Sequence, residues 1–108
     1  MTSPFARYPS LADRVVFVTG GASGIGASIV AHFVAQAAKV AFLDIDQGAG
    51  DALVASLVGH AAHDPLFIAG DLCDIAALQA AIERVRSHFG PIGVLVNNAA
   101  NDHRHQRR

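Results

Sequence analysis

Four closely spaced glycines give the clearest indication of chemistry in the sequence. Gly20, Gly21, Gly24 and Gly26 follow a short apolar, β-branched run, and helical periodicity begins directly after them. A strand, a glycine loop and a helix in this order can hold a pyrophosphate, because the free N–H groups and the dipole of a helix N-terminus favour negative charge. We interpret Gly20 as the turn out of the strand, Gly24 as the point where backbone approaches the phosphates, and Gly26 as the point where the helix packs closely on the sheet. An ordinary strand-to-helix turn is the alternative for this stretch alone.

An acidic residue ends the second apolar run. Asp44 lies 18 residues beyond Gly26, where a carboxylate can accept hydrogen bonds from the ribose hydroxyls of adenosine. A 2′-phosphate would be repelled at this position, and neither Gly21 nor Ile45 supplies a cation to neutralise it. The pattern therefore favours NAD over NADP. A helix cap or an exposed loop acid is the alternative for Asp44 alone.

The apolar periodicity predicts the elements that position these residues. It indicates strands at 14–19, 40–43, 66–69 and 94–96, and a first helix at about 24–37. Asp46 and Asp74 are predicted to cap two further helices, which Gly59 and Gly90 end. Nearly continuous apolar strands that alternate with amphipathic helices predict an α/β fold, β-α-β-α-β-α-β, with a parallel sheet covered on both faces. Right-handed crossovers then predict a doubly wound sheet of order 3-2-1-4.

Helical spacing also predicts which side chains point inward. The predicted inward residues of the first helix are Ile25, Ile29, Val30, Phe33, Val34 and Ala37, with Ser28, His32 and Gln36 on its polar side. Those of the second helix are Leu53, Val54, Leu57 and Val58, and those of the third are Leu78, Ala81, Ile82, Val85 and Phe89.

Three motifs in chain order carry a resemblance to a known family. They are Thr19-Gly20-x-x-x-Gly24-Ile25-Gly26, the pair Asp71-Leu72 after the third strand, and Asn97-Asn98-Ala99-Ala100 after the fourth. With these motifs the chain resembles the short-chain dehydrogenase/reductase family over about residues 8–103. The resemblance implies a Rossmann-type, NAD-binding half-domain, in which the Asp71 carboxylate contacts the adenine amino group and the asparagines brace the loops beside the cofactor. The cofactor-binding residues are then expected to be Gly20, Ser23, Gly24, Ile25, Gly26, Asp44, Asp71, Leu72, Asn97 and Ala99.

Two short strings narrow the resemblance. Tyr8-Pro9-Ser10-Leu11 and the segment 97–105 are similar to bacterial sugar dehydrogenases of this family, in particular those that oxidise D-xylose or related aldoses at C1. Ala37 and Ala100 stand where the family usually has glycine. If Ala37 keeps a left-handed conformation, its side chain costs about 1–2 kcal/mol.

The residues that catalyse the family's reaction have no counterpart in the chain. They are an Asn, a Ser, a Tyr and a Lys beyond the Asn-Asn-Ala-Gly segment, whereas this chain has only Tyr8 and Lys39 and no Tyr-x-x-x-Lys. We expect one truncated cofactor-binding domain over 1–108, with a lead-in at 1–13, a polar basic tail at 101–108, no catalytic residue and no activity of its own. A non-catalytic nucleotide-binding or interaction module and a non-functional gene fragment are the alternatives. Because the family fold continues beyond the fourth strand, Val94-Leu95-Val96 should form an open apolar edge, and parts of strands one and four should meet water.

Composition and charge limit the partners. With 108 residues, 52% hydrophobic and 16% charged, the chain is at most one small folded domain. Residues 1–100 carry five Lys/Arg against eight Asp/Glu, which argues against a nucleic-acid partner, although 101–108 carry three Arg against one Asp.

Without a signal-like or membrane-length apolar run, the chain is expected to be cytoplasmic and to have no membrane partner. The resemblance implies relatives that are homo-oligomers, whose interface helices would be absent here. Cys73 has no zinc-site spacing and is expected to be a small buried residue, so no metal site is predicted.

Overall fold

Strands and helices alternate along the whole part of the chain that is described. The structure, a computed structural model, describes residues 9–59 and 61–98. Its elements are β1 (Val15–Thr19), α1 (Gly24–Ala35), β2 (Lys39–Asp44), α2 (Gln47–Leu57), β3 (Leu66–Ala69), α3 (Ile75–Phe89) and β4 (Val94–Asn97). A 3₁₀ turn, Pro9–Leu11, lies in the predicted lead-in, and the predicted tail at 101–108 is outside the described residues.

The four strands form one parallel sheet of order β3-β2-β1-β4, which confirms the predicted topology. Phe17 in β1 is level with Ala41 in β2 and with Leu95 in β4. All strands run in the same direction, so they finish at one end of the sheet, called here the carboxyl end. The residues that end the strands there are Thr19, Asp44, Ala69 and Asn97.

Two apolar layers cover the faces of the sheet. On one face Val16, Val18 and Phe42 pack with Val30 and Val34 of α1, and α2 extends this layer. On the other face the sheet packs against α3. The buried residues of this second layer are Val15, Phe17, Ala41, Leu43, Ile68, Ala81 and Val85.

The predicted helix ends are confirmed for α2 and α3. The Asp46 carboxylate accepts a hydrogen bond from the backbone N–H of Ala49 at 3.0 Å, and the Asp74 carboxylate accepts one from the N–H of Ala77 at 3.2 Å. These bonds satisfy N–H groups that a helix start leaves without an intrahelical partner. Gly59, with φ +81°, follows the end of α2 and Gly90, with φ +112°, ends α3, conformations that glycine adopts without steric cost.

The end of α1 differs from the prediction. The helix stops at Ala35 rather than at position 37, and Ala37 has φ +67°. Ala37 therefore has the left-handed conformation, in which its side chain costs about 1–2 kcal/mol. Gln36 is buried, and the prediction that it lies on the polar side was wrong. It is the C-cap residue, so helical spacing no longer determines which way it points.

Two predicted inward residues of the helices are exposed instead. Ile25 is 72% exposed because the first turn of α1 lies beyond the end of β1. Val58 is exposed because it is the C-cap of α2, with extended backbone. The fully buried residue of α2 is Gly50, where an added Cβ would overlap the ring of Phe67. Glycine has no side chain, so the apolar periodicity did not predict this buried position.

The prediction about water at the sheet faces was right for strand four and wrong for strand one. In β4, Leu95 is 65% exposed, whereas Val94 and Val96 are half-buried against the α1 and α2 layer. All five residues of β1 are buried, because the strand lies between β2 and β4 and both layers cover it.

Among the helices of residues 9–59 and 61–98, none has the length and hydropathy to cross a membrane.

Candidate functional site

The glycine loop leaves β1 at the carboxyl end of the sheet. Gly20 has φ +76°, a left-handed conformation, and its N–H donates to the carbonyl oxygen of Leu43 at 2.7 Å. Gly21 is buried against the neighbouring core. A Cβ at position 21 would lie 2.7 Å from Phe42 Cβ and 2.9 Å from Val30 Cγ2, so a side chain has no room there. Glycine is thus needed at 20 for its backbone and at 21 for space.

The loop leads into the N-terminus of α1, which is open to solvent. Ser23 is the N-cap with extended backbone and makes no side-chain cap hydrogen bond. Gly24 has φ +59°, and an added Cβ there would have no heavy atom within 4 Å. Ser23, Gly24 and Ile25 are all exposed. A ligand can therefore approach the backbone of the first turn, whose N–H groups favour an anion.

Gly26 brings α1 against the loop itself. A Cβ at this position would overlap the carbonyl oxygen of Gly20 and would lie 2.8 Å from Asn98 Nδ2. The close packing expected of Gly26 is present, but its nearest neighbours are the loop and Asn98.

Two asparagines at the end of β4 bond to the end of β1 and to the glycine loop. Asn98 Nδ2 donates to the Gly20 carbonyl oxygen at 3.0 Å, and the Asn98 N–H donates to the Thr19 carbonyl oxygen at 3.1 Å. The Thr19 hydroxyl, which is buried, donates to Asn97 Oδ1 at 2.8 Å. These bonds tie the end of β4 to the end of β1. Ala99, a predicted site residue, lies outside the described residues.

Asp44 is half-buried at the end of β2 and bonds to the segments on either side of it. Its Oδ2 accepts the N–H of Ala22 at 3.0 Å, and its Oδ1 accepts the N–H of Asp46 at 2.9 Å. An ionised carboxylate has about four lone-pair sites, so each oxygen can accept a further hydrogen bond. The bond to Ala22 was not predicted, since only the folded chain brings residues 22 and 44 together.

Asp71 and Leu72 form the turn between β3 and α3. Asp71 is exposed, and its Oδ1 accepts the N–H of Cys73 at 2.9 Å. Leu72 is half-buried and packs against the α3 layer. Cys73 is exposed, so the expectation that it is buried was wrong. It lies in this turn, outside both apolar layers.

The described cationic side chains lie away from the carboxyl end of the sheet. Arg14 and Lys39 are at the opposite end, where β1 and β2 begin, and His63 contacts Asp13 there at 2.6 Å. Within residues 9–59 and 61–98, no group of three or more His, Cys, Asp or Glu could hold a metal ion. The other described basic side chains are in the second halves of α1 and α3: His32, Arg84, Arg86 and His88.

The nine described residues that were predicted to bind the cofactor thus lie at one end of the sheet, at or just after the ends of the four strands. In a comparison with known proteins, the family model of short chain dehydrogenases matches residues 14–107. The chain belongs to this family. The resemblance inferred from the three motifs is confirmed.

The chain is similar to two curated bacterial sugar dehydrogenases. It is 44% identical over 104 residues to the probable galactose dehydrogenase GalD of Rhizobium meliloti, covering 96% of this chain and 41% of that protein. It is 46% identical over 101 residues to a D-xylose 1-dehydrogenase of Caulobacter vibrioides, covering 94% and 39%. The chain therefore spans about two fifths of the length of these relatives.

A solved structure matches the fold of the chain as well. L-Sorbose reductase from Gluconobacter frateurii, in complex with NADPH and L-sorbose, superposes with a TM-score of 0.76 at 31% identity. The match covers 82% of this chain and 34% of the reductase. The predicted Rossmann-type fold is confirmed.

Proposed function

We propose that this chain is the N-terminal cofactor-binding portion of an NAD-dependent oxidoreductase that transfers hydride between NAD and a hydroxyl of a sugar or another alcohol. The observation that carries the proposal is the convergence of an open helix N-terminus, a glycine loop and Asp44 at the carboxyl end of a parallel sheet. Ligands of open α/β sheets bind in the crevice outside this end. The sugar hydroxyl is proposed from the similarity to galactose and D-xylose dehydrogenases.

The residues present fit a dinucleotide. Gly24 leaves open space where a side chain would otherwise stand, so the pyrophosphate can reach the N–H groups of the first turn of α1. The free lone pairs of Asp44 accept the ribose hydroxyls. The exposed carboxylate of Asp71 and the adjacent Leu72 hold the adenine, one by hydrogen bonding and the other by apolar contact. Asn97 ends β4, on the side of the glycine loop away from Asp44, and contacts the nicotinamide half. The same role is proposed for Ala99 from the family resemblance alone.

When bound, the nicotinamide ring accepts or returns the hydride, and this portion of the protein orients it. The family's reaction also needs a phenol that exchanges a proton with the substrate hydroxyl, and the chain has no Tyr-x-x-x-Lys to provide one. The chain by itself therefore binds a dinucleotide without turning it over. A non-catalytic nucleotide-binding module has the same binding site, and only turnover by a protein that includes the rest of the family fold separates the two functions.

The proposed preference for NAD rests on charge and space. A 2′-phosphate placed beside Asp44 would meet its carboxylate, and the described cations lie on other parts of the fold. Gly21 has no room for a basic side chain, and position 45 holds an isoleucine. NADPH is the cofactor in the L-sorbose reductase complex, so the preference is argued from this chain's residues.

Calorimetric titration of the chain with NADH and with NADPH tests the binding proposal. We expect tighter binding of NADH, and we expect Gly24→Val to abolish binding while the far-UV circular dichroism stays the same. Gly59→Val is the matched control, because Gly59 has φ +81° and equally open space but lies after α2, away from the site. Binding by NADPH as tight as by NADH would refute the preference, and undiminished binding by Gly24→Val would refute the site.

A turnover assay tests the catalytic part. The chain, with its mass confirmed, is incubated with NAD and a panel of aldoses and alcohols, and NADH formation is followed by absorbance. We expect no signal above the blank. Multiple turnovers per chain would contradict the proposal that the missing Tyr and Lys are required.

A further inference from the structure

Asp44 connects three segments at the carboxyl end of the sheet. Its Oδ2 accepts from Ala22 in the glycine loop, its Oδ1 accepts from Asp46 at the start of α2, and its backbone carbonyl accepts from the N–H of Gly70 after β3 at 3.0 Å. Two of these three bonds depend on the carboxylate. A ribose acceptor alone would not require them.

Among the described residues, the carboxylate accepts one of two hydrogen bonds that join the loop to β2. The other is the hydrogen bond from the Gly20 N–H to the Leu43 carbonyl, which involves only backbone. Between these two connections Gly21 is packed too tightly to carry a side chain. The path of the loop from Gly20 to Ala22 is therefore set by the end of β2.

Ala22 is the residue whose placement matters for the ligand. It is buried in the α1 layer and directly precedes Ser23, the N-cap of α1. A shift of Ala22 would move the first N–H groups of the helix, which are the donors available to an anion. The Asp44 carboxylate thus acts on these donors through one hydrogen bond.

We propose that Asp44 is a positioning residue for the phosphate-binding loop, in addition to its proposed contact with ribose. The consequence for ligands rests on the proposed function. Loss of the carboxylate should weaken the binding of a phosphate ligand that has no ribose at all. A substitution made only to change the preference between NAD and NADP would then also disturb the loop.

Charge and positioning predict opposite effects on such a ligand. Inorganic pyrophosphate is an anion, so removing a nearby negative charge should tighten its binding through electrostatics alone. If the carboxylate holds the loop, the same removal should weaken binding. Asp46→Asn supplies the control, because it removes one negative charge two residues away, asparagine still caps α2, and the Asp46 side chain bonds to Ala49 rather than to the loop.

The first arm of the experiment needs no ligand. Hydrogen exchange of the Ala22 amide is measured in the wild-type chain, in Asp44→Ala and in Asp46→Asn, with circular dichroism as the check on folding. We expect exchange about tenfold faster in Asp44→Ala, as for loss of a hydrogen bond to a charged acceptor, and no more than about twofold faster in Asp46→Asn. Unchanged protection of Ala22 in folded Asp44→Ala, or no protection of Ala22 in the wild type, would overturn the proposal.

Asp44→Asn keeps the experiment decisive if Asp44→Ala does not fold. The asparagine side chain has nearly the shape of the carboxylate but offers one acceptor oxygen in place of two. The backbone N–H of Ala22 or that of Asp46 must therefore lose its partner. We expect faster exchange at one of them. Unchanged protection at both would overturn the proposal.

The second arm measures the affinity for inorganic pyrophosphate. We expect several-fold weaker binding by Asp44→Ala, and equal or tighter binding by Asp46→Asn. Tightening by the same factor in both variants would show an effect of charge alone and would overturn the positioning role for ligand binding. If wild-type chain binds neither pyrophosphate nor NADH, the proposed function fails, whereas the exchange of Ala22 still decides whether Asp44 holds the loop.

Discussion

Gly26→Ala tests the contact on which the architecture of the site depends. The new methyl group would overlap the Gly20 carbonyl oxygen, which is backbone and cannot rotate away. It would also lie 2.8 Å from Asn98 Nδ2, below the 3.0 Å that real Cβ contacts essentially never undercut. The start of α1 must therefore move away from the loop, and the 3.0 Å hydrogen bond from Asn98 to Gly20 is lost or stretched.

The expected magnitude follows from three contributions. Overpacking of this kind costs about 1–3 kcal/mol, and the hydrogen bond contributes about 1 kcal/mol. Alanine is better than glycine in a helix by at most about 1 kcal/mol, which offsets part of the loss. We expect Gly26→Ala to lower the free energy of unfolding by about 2 kcal/mol, or the melting temperature by roughly 8 °C for a domain of this size.

Urea denaturation followed by far-UV circular dichroism measures this change. Gly48→Ala is the control, because Gly48 lies in the first turn of α2 and an added Cβ would meet Asp46 Oδ1 at an ordinary 3.7 Å. The control should be as stable as the wild type or more stable by up to about 1 kcal/mol. Gly26→Ala should also bind NADH at least tenfold more weakly. Equal stability of Gly26→Ala and the wild type would refute the close packing of α1 on the loop.

Three further substitutions test the strained corner after α1, the edge of the sheet and the cofactor preference. Ala37→Gly should raise the free energy of unfolding by about 0.5–1 kcal/mol, since Ala37 has φ +67°. The control Ala35→Gly, at the last residue of α1, should lower it by up to about 1 kcal/mol. Urea denaturation measures both changes, and a loss of stability in Ala37→Gly would contradict the strain. The open apolar edge at β4 should favour self-association of the chain, and Leu95→Lys, which places a charge on this edge, should reduce it. Light scattering at equal concentration measures the change, and unchanged scattering would show that this edge does not cause self-association. Ile45→Arg, at an exposed position beside Asp44, should raise the affinity for NADPH relative to NADH several-fold, as measured by calorimetry. An unchanged affinity ratio would contradict the charge argument. Gly21→Arg, where a side chain has no room, should instead destabilise the fold in urea denaturation.

Local patterns were enough to predict the framework. Apolar runs located the four strands, with β3 matched residue for residue at 66–69, because a buried parallel strand needs a nearly unbroken apolar segment. Asp46 and Asp74 were recognised as caps because a carboxylate before a helical pattern can accept from an unpaired N–H. Strand order followed from the handedness of the crossovers, which does not depend on individual residues.

The errors and omissions concern residues whose surroundings depend on the fold. Gln36 and Val58 lie at helix ends, where the spacing that predicted their directions no longer applies. Gly50 is recognisable as a core residue only once Phe67 is known to lie against it. The bond between Asp44 and Ala22 joins the end of β2 to the loop after β1, so no local pattern contains it.

The central claim is that the chain binds a nicotinamide dinucleotide at the carboxyl end of its sheet. Hydrogen exchange of the full chain, measured with and without saturating NADH, tests it most directly because it locates the ligand without requiring activity. We predict added protection in the glycine loop and first turn of α1 at 20–26, around Asp44, and in the turn at 70–74. Protection absent from all of these segments, or confined to the opposite end of the sheet near Asp13 and His63, would contradict the claim.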